Sequence, residues 1–221
     1  MYDVSHAGVT SPLYRRSGRG RGRDLIDRDR PRTRVQHGYD RVGRQPRSRQ
    51  SIAGYQPGAS ISYSHEGADF GDALETAGGI ARALPLLGDA FWVLAGDVYA
   101  PDFAFTQAAA DRFAASGKLA HLWLVPNPPH NPRGDFGLSA DGQALNQADE
   151  KYTFSTFALY RRALFEALWC PIPAGNPDGV VAPLAPLLRV AMDAGEVSAE
   201  LYTGPWTDVG TPERLAELNA T

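Results

Sequence analysis

Cysteine is almost absent from this chain. The single Cys170 excludes an internal disulfide and any cysteine-built zinc cluster. Its setting, FEALWCPIP, suits a small core side chain better than a nucleophile. Long apolar runs are missing too, and nothing approaches the ~18 consecutive residues of a membrane-spanning helix. The opening MYDVSHAGVTSP lacks the basic-then-apolar order of a secretory signal. These absences point to the reducing cytoplasm and away from a membrane partner. Lysine is absent from residues 1–50, which carry thirteen Arg and five Asp, +8 in all. The remaining residues carry −11, so the overall charge of −3 conceals two dissimilar segments. At 221 residues the chain has room for one α/β domain with an appendage.

Residues 1 to about 50 show neither a helical nor a strand period. SGRGRGRDLIDRDRPRTR alternates Arg with Gly, Asp and Pro and offers too little apolar surface to offset the entropy of ordering it. It reads as a basic tail that binds nucleic acid, an inert arm, or a segment translated in the wrong frame of a GC-rich gene. No aromatic platform or base-reading motif accompanies the arginines, which disfavours nucleic acid. The expected division is an Arg-rich, disordered or non-native segment over 1–55 and an α/β domain, its front part missing, over 56–221.

Within that domain the pattern becomes regular. Ser60 to Ser64 alternates as a strand does. Leu74, Ala77, Ile80, Ala81, Leu84 and Leu87 recur at helical spacing, and Pro85 and Gly88 mark the helix end. The Gly78-Gly79 pair costs this helix about 1 kcal/mol per glycine relative to Ala, so an element or a ligand is expected against its bare backbone. Phe91 to Ala95 is a buried strand that stops at Gly96-Asp97. A helix over 103–116 and a strand over 119–125 follow. The order strand, helix, strand, helix, strand predicts a mostly parallel, three-layer Rossmann-like sheet. Beyond the proline-rich PNPPHNPRGD loop, strands are expected at 136–138, 152–160 and 199–203. Helices are expected at 161–169, 183–194 and from Thr211 onward. The last has an N-cap Thr and Pro212 in its first position.

Ligands of open α/β sheets lie outside the carboxyl ends of the strands. Asp97 falls at such an end. A second acidic turn, Thr207-Asp208-Val209-Gly210, lies far along the chain. Each Asp alone could simply cap its turn. As a pair without Cys or His, they suit Mg²⁺, which takes one or two carboxylates and completes its shell with water and phosphate. Lys151 could supply a cation for phosphate, or could be an ordinary solvated lysine.

Five stretches in order, LETAGGIARALPLLG, FWVLAGDVYAPDF, LVPNPPHNPRGDFGL, EKYTFSTFALYRRALF and GPWTDVGTPERLAELN, resemble the sugar-1-phosphate nucleotidyltransferases over about residues 58–220. The last stretch and the NPRGDFGL loop are most similar to the branch that makes UDP-N-acetylmuramate from its 1-phosphate in peptidoglycan recycling. Mannose-1-phosphate guanylyltransferases are close relatives. The resemblance implies attack of a sugar 1-phosphate oxygen on the α-phosphorus of a nucleoside triphosphate, UTP for that branch, with release of pyrophosphate. It implies Asp97 and Asp208 as Mg²⁺ ligands, and Glu75, Thr76, Ala77, Gly78 and Gly79 against the nucleoside. Gly137 would flank the sugar, Glu150 would accept from its hydroxyls, and Lys151 would hold its phosphate. The family's opening strand, Gly-rich loop and Pro-Lys-Pro stretch have no counterpart here, and Gly18–Arg23 is no substitute, because no apolar strand precedes it. The expectation is a truncated enzyme behind a substituted or wrong-frame segment; a catalytically inactive remnant is the alternative. The sequence does not specify an oligomeric state.

Overall fold

A computed structural model describes residues 2–3, 33–37 and 60–220. The expected boundary at residue 55 and the Gly18–Arg23 run lie outside those residues.

Strands β1 (Tyr2–Asp3), β2 (Thr33–His37) and β3 (Ser60–Ser64) come first, then helices α1 (Glu66–Phe70) and α2 (Glu75–Ala83). Strands β4 (Ala90–Val93) and β5 (Val98–Tyr99), helix α3 (Gln107–Ser116) and strand β6 (Ala120–Val125) follow. A short hairpin, β7 (Gly137–Leu138) with β8 (Ala144–Leu145), leads to the long strand β9 (Thr153–Arg161). Helix α4 (Leu184–Asp193), strands β10 (Val197–Leu201) and β11 (Thr207–Asp208), and helix α5 (Pro212–Ala220) complete the described chain.

The main sheet has the order β1-β4-β9-β6-β10. Strand β9 lies between β4 and β6 and is antiparallel to both. Strand β10 is parallel to β6, so β4, β6 and β10 share one direction. The fold is α/β as expected, but the sheet is mixed. An apolar run encodes burial and not direction, which is why the reversed β9 was not foreseen.

Alternation along these strands fills both faces. Phe91, Leu122, Leu124, Ala158 and Tyr160 pack with Ile80, Leu84 and Leu188 from the α2 and α4 side. Their neighbours Trp92, Trp123, Phe157 and Leu159 pack with Phe103, Phe105 and Phe113 on the α3 side. Trp92 stacks on Trp123 at 4.7 Å between ring centroids. Cys170 is buried beside Ala81 and Ile172, as a small apolar residue would be.

Several expected bounds move. The α3 helix starts at Gln107 rather than 103, because Thr106 caps it by accepting from Ala109 N–H at 3.1 Å. Phe103 and Phe105 precede it and feed the aromatic cluster. The expected helix over 161–169 is only a 3₁₀ stretch, Arg162–Phe165. The late strand is Val197–Leu201, set by its register on β6. The strand expected over Phe91 to Ala95 runs from Ala90 to Val93.

On the α3 face, Glu200 of β10 accepts from Trp123 Nε1–H and faces His121 Nε2 at 3.7 Å. The hydrogen bond from His121 holds its carboxyl below the usual range, against partial burial, with help from Trp123. A depressed folded-state pKa contributes stability above the unfolded-state pKa and loses it as pH falls through the folded value. Glu200→Gln is therefore expected to lower the urea midpoint at neutral pH. The gap to the wild-type chain should close in acid below the carboxylate range, which urea titrations at several pH values would measure.

Candidate active site

Past the end of β4 the chain turns through 94–97 and pairs again at β5. Its antiparallel partner is β11, with Asp208 opposite Val98 and Thr207 opposite Tyr99. Val209 N–H donates to the Asp97 carbonyl at 2.7 Å. The two acidic turns, distant in sequence, are thus one piece of structure. A Cβ placed on Gly210 would sit 3.2 Å from Asp97 Oδ2 and 3.5 Å from Asp208 Oδ1. Arg214 Nη2 lies 3.3 Å from the same point, so the two carboxylates and this guanidinium converge on one small volume beside Gly210.

Asp208 is 20% exposed and is held by two nitrogen groups. Its Oδ1 takes Arg214 Nη1 at 2.5 Å, and its Oδ2 takes His130 Nε2 at 2.6 Å. Arg214 comes from the first turn of α5, where its own N–H donates to Thr211 Oγ1 at 3.3 Å. His130 sits on the proline-rich loop, and that loop is fastened to the start of β9. The Asn127 amide donates to Lys151 O at 2.8 Å, and its Oδ1 accepts from Thr153 Oγ1 at 2.9 Å. Asn131 Nδ2 donates to Thr153 Oγ1 at 3.1 Å, and Asp135 Oδ2 accepts from Phe154 N–H at 2.8 Å. Prolines and these amide contacts leave His130 few positions other than over β11.

Sequence reasoning missed His130 and Arg214. A lone His among prolines carries no motif, and Arg214 reads as one charge on an exposed helix. Because His130 joins the loop to the Asp208 turn, His130→Ala is expected to reduce kcat/KM on the order of ten- to a hundredfold through misplacement. Its thermal midpoint should stay near that of the wild-type chain. Steady-state kinetics beside a melting curve checks both.

The other expected residues fall elsewhere. Lys151 Nζ donates to Asn146 O at 3.2 Å and makes no hydrogen bond or ion pair with either aspartate among the described residues. Glu150 is exposed and meets the Tyr152 hydroxyl. Partial burial, then the Glu150 charge and hydrogen bond, hold that phenol above its usual value. Gly137 is buried, and a Cβ on it would lie 2.3 Å from Ala148 Cβ and 3.2 Å from Leu145 Cβ, so it is a packing glycine in the β7–β8 hairpin.

In α2, Ala77 and Gly78 N–H both donate to Ala182 O, at 2.9 and 3.1 Å. A Cβ on Gly78 would be 2.5 Å from Val180 O, and one on Gly79 would be 2.7 Å from Glu66 Oε1. Protein thus accounts for the glycine pair, and Ala77, Gly78 and Gly79 are buried beneath it. Glu75 and Thr76 stay exposed at the helix start, with Glu75 at φ 58°, a left-handed value uncommon outside glycine.

Among the described residues no three His, Cys, Asp or Glu form a metal centre. Two carboxylates that approach one small volume nonetheless fit a hard divalent ion that completes its shell with water and phosphate, in exchange for the contacts Arg214 and His130 make to Asp208.

No family profile matches the chain. Over 167 residues it is 45% identical to the N-acetylmuramate alpha-1-phosphate uridylyltransferase of Neisseria meningitidis serogroup B, covering 74% of this chain and 67% of that protein. It belongs to the sugar-1-phosphate nucleotidyltransferase family. The fold agrees. A Bacillus anthracis protein assigned as a glucose-1-phosphate thymidylyltransferase, in complex with sucrose, superposes with a TM-score of 0.56 at 16% identity. That match covers 77% of this chain and 67% of the other. HddC from Yersinia pseudotuberculosis, complexed with GMP-PN, gives 0.50 at 13% identity over 76% of this chain and 70% of its own. Membership of this nucleotidyltransferase family implies a divalent cation. Among the described residues no helix is long and apolar enough to cross a membrane.

Proposed function

We propose that the chain transfers a nucleotidyl group from a nucleoside triphosphate to a sugar 1-phosphate, with UTP and N-acetylmuramate 1-phosphate as the pair. The pairing of β5 with β11 carries this reading, because it brings Asp97 and Asp208 to one small volume past the end of β4. The similarity to the Neisseria uridylyltransferase supports the choice of base and sugar.

In this reading a phosphate oxygen of the sugar 1-phosphate attacks the α-phosphorus. A new P–O bond forms, the α–β bridging bond breaks, and pyrophosphate leaves with the electron pair. No protein nucleophile is needed, only alignment and charge compensation. Asp97 and Asp208 would hold the divalent ion, which would supply neutralisation of charge on the phosphoryl oxygens. Lys151 swings from Asn146 to the sugar phosphate, and Glu150 accepts from sugar hydroxyls. Exposed Glu75 and Thr76 meet the nucleoside. Gly137, Gly78 and Gly79 serve these contacts through the backbone they let pack closely.

Pyrophosphate release tests the reading. With Mg²⁺, UTP and N-acetylmuramate 1-phosphate should give turnover, and GTP with mannose 1-phosphate should not. The reverse preference would make the chain a guanylyltransferase. No release with any nucleotide–sugar pair would mark a non-catalytic remnant. Salt-sensitive retention on nucleic acid that disappears with residues 1–50 would place the activity in the Arg-rich segment instead.

A further inference from the structure

Strand β9 is continuous but irregular where it passes the two acidic turns. Its pairing with β6 shifts register between Leu122 and Leu124, whose partners are Ala158 and Phe154. Within that irregularity Thr156 has φ 69°. Left-handed backbone is unusual for any residue but glycine, and for a β-branched one it is a true outlier. Strain of this kind persists only where surrounding contacts hold it, and it gathers at functional sites.

The contacts that hold it run to both Asp turns. Thr156 Oγ1 accepts from Ala95 N–H at 3.4 Å, two residues before Asp97. The carbonyl of Ser155 accepts from Trp206 Nε1–H at 3.2 Å, two residues before Asp208. Buried Ser155 is fixed in turn. Its Oγ donates to Trp123 O at 2.7 Å and accepts from Phe157 N–H at 3.1 Å. In a regular strand between two partners the Ser155 carbonyl would face a neighbouring strand; the irregularity leaves it to Trp206.

We infer that Thr156, through the β9 bulge it forms with Ser155, is a positioning residue that fixes the Asp97 turn while the same bulge fixes the Asp208 turn. It touches neither the reacting atoms nor a metal ligand's side chain. Its work is to hold two short backbone segments at one separation, where β5 and β11 alone supply only a two-residue ladder. The inference rests on the proposed function only for what the two turns do once held.

Three variants test it. Thr156→Ser keeps the hydroxyl, Thr156→Val keeps the shape without it, and Thr156→Gly relieves the left-handed strain and drops it. Amide hydrogen exchange is read on the whole chain at residues 95–98 and 206–209. In Val and Gly, exchange at 95–98 should rise about tenfold or more, with a smaller rise at 206–209, while Leu122 and Leu159 stay protected. Serine should restore the wild-type rates. The glycine variant folds without strain, so it carries the test even if valine does not fold. In turnover, kcat should fall with KM for the nucleotide unchanged, and serine should recover it. Wild-type exchange rates at 95–98 in the glycine variant would overturn the inference, leaving Thr156 a strained residue and nothing more. Altered exchange in a chain that never releases pyrophosphate would uphold the positioning role and discard the transferase reading.

Discussion

Asp97→Asn is expected to lower kcat by about 10²–10³-fold, the scale on which one electrostatic contact to a transferring group acts. KM for the sugar phosphate should change little. The substitution keeps the size of the side chain and the 2.7 Å bond from Val209 N–H, which ends on the Asp97 backbone carbonyl. The loss would therefore report charge and not a collapsed turn. Asp208→Asn should match it in rate but be less clean. It also loosens Arg214 and His130, which hold the other elements of the site to that carboxylate. Comparable loss in both variants, with unchanged melting for Asp97→Asn, is the expected pattern in steady-state kinetics and calorimetry.

Gly137→Ala is expected to cost about 1–3 kcal/mol of stability, because the added methyl has no room and meets Ala148 and Leu145 at their Cβ atoms, which are fixed to the backbone. The nearest atom is Ala148 Cβ, 2.3 Å from the new Cβ position, and a side chain of one carbon cannot turn aside. The hairpin backbone must move instead. Urea unfolding should show the midpoint lowered with an unchanged slope. At temperatures where the variant is folded, its KM for sugar phosphate should stay within a few-fold of the wild-type value. A large KM change without loss of stability would return Gly137 to the role of a sugar contact.

The elements of the fold were legible where periodicity is strong. The apolar runs of β4 and β6, the α2 and α4 stripes, and the Gly117 and Thr211 helix boundaries all stand in the sequence. Direction was not, because β9 alternates as it would in either orientation. Phe103 and Phe105 lie near helical spacing from Phe113, yet they pack from a loop, and only the Thr106 cap separates loop from helix. In the site, Asp97 and Asp208 were visible as acids that end apolar or aromatic stretches. Their meeting was not, since β5 and β11 are two residues each and carry no pattern. His130 and Thr156 left no local sign at all. One acts by reaching across from a proline-rich loop. The other acts by adopting a backbone conformation its side chain disfavours. The Gly78-Gly79 pair did announce close approach, and the approaching groups are Val180 O and Glu66.

Manganese binding followed by electron paramagnetic resonance tests most directly whether Asp97 and Asp208 form one site. The wild-type chain should bind a single Mn²⁺ that Mg²⁺ displaces, and Asp97→Asn and Asp208→Asn should each abolish it, with the double variant no weaker than either. Unchanged Mn²⁺ affinity in either single variant, or losses that simply add, would mean that the two carboxylates do not share an ion.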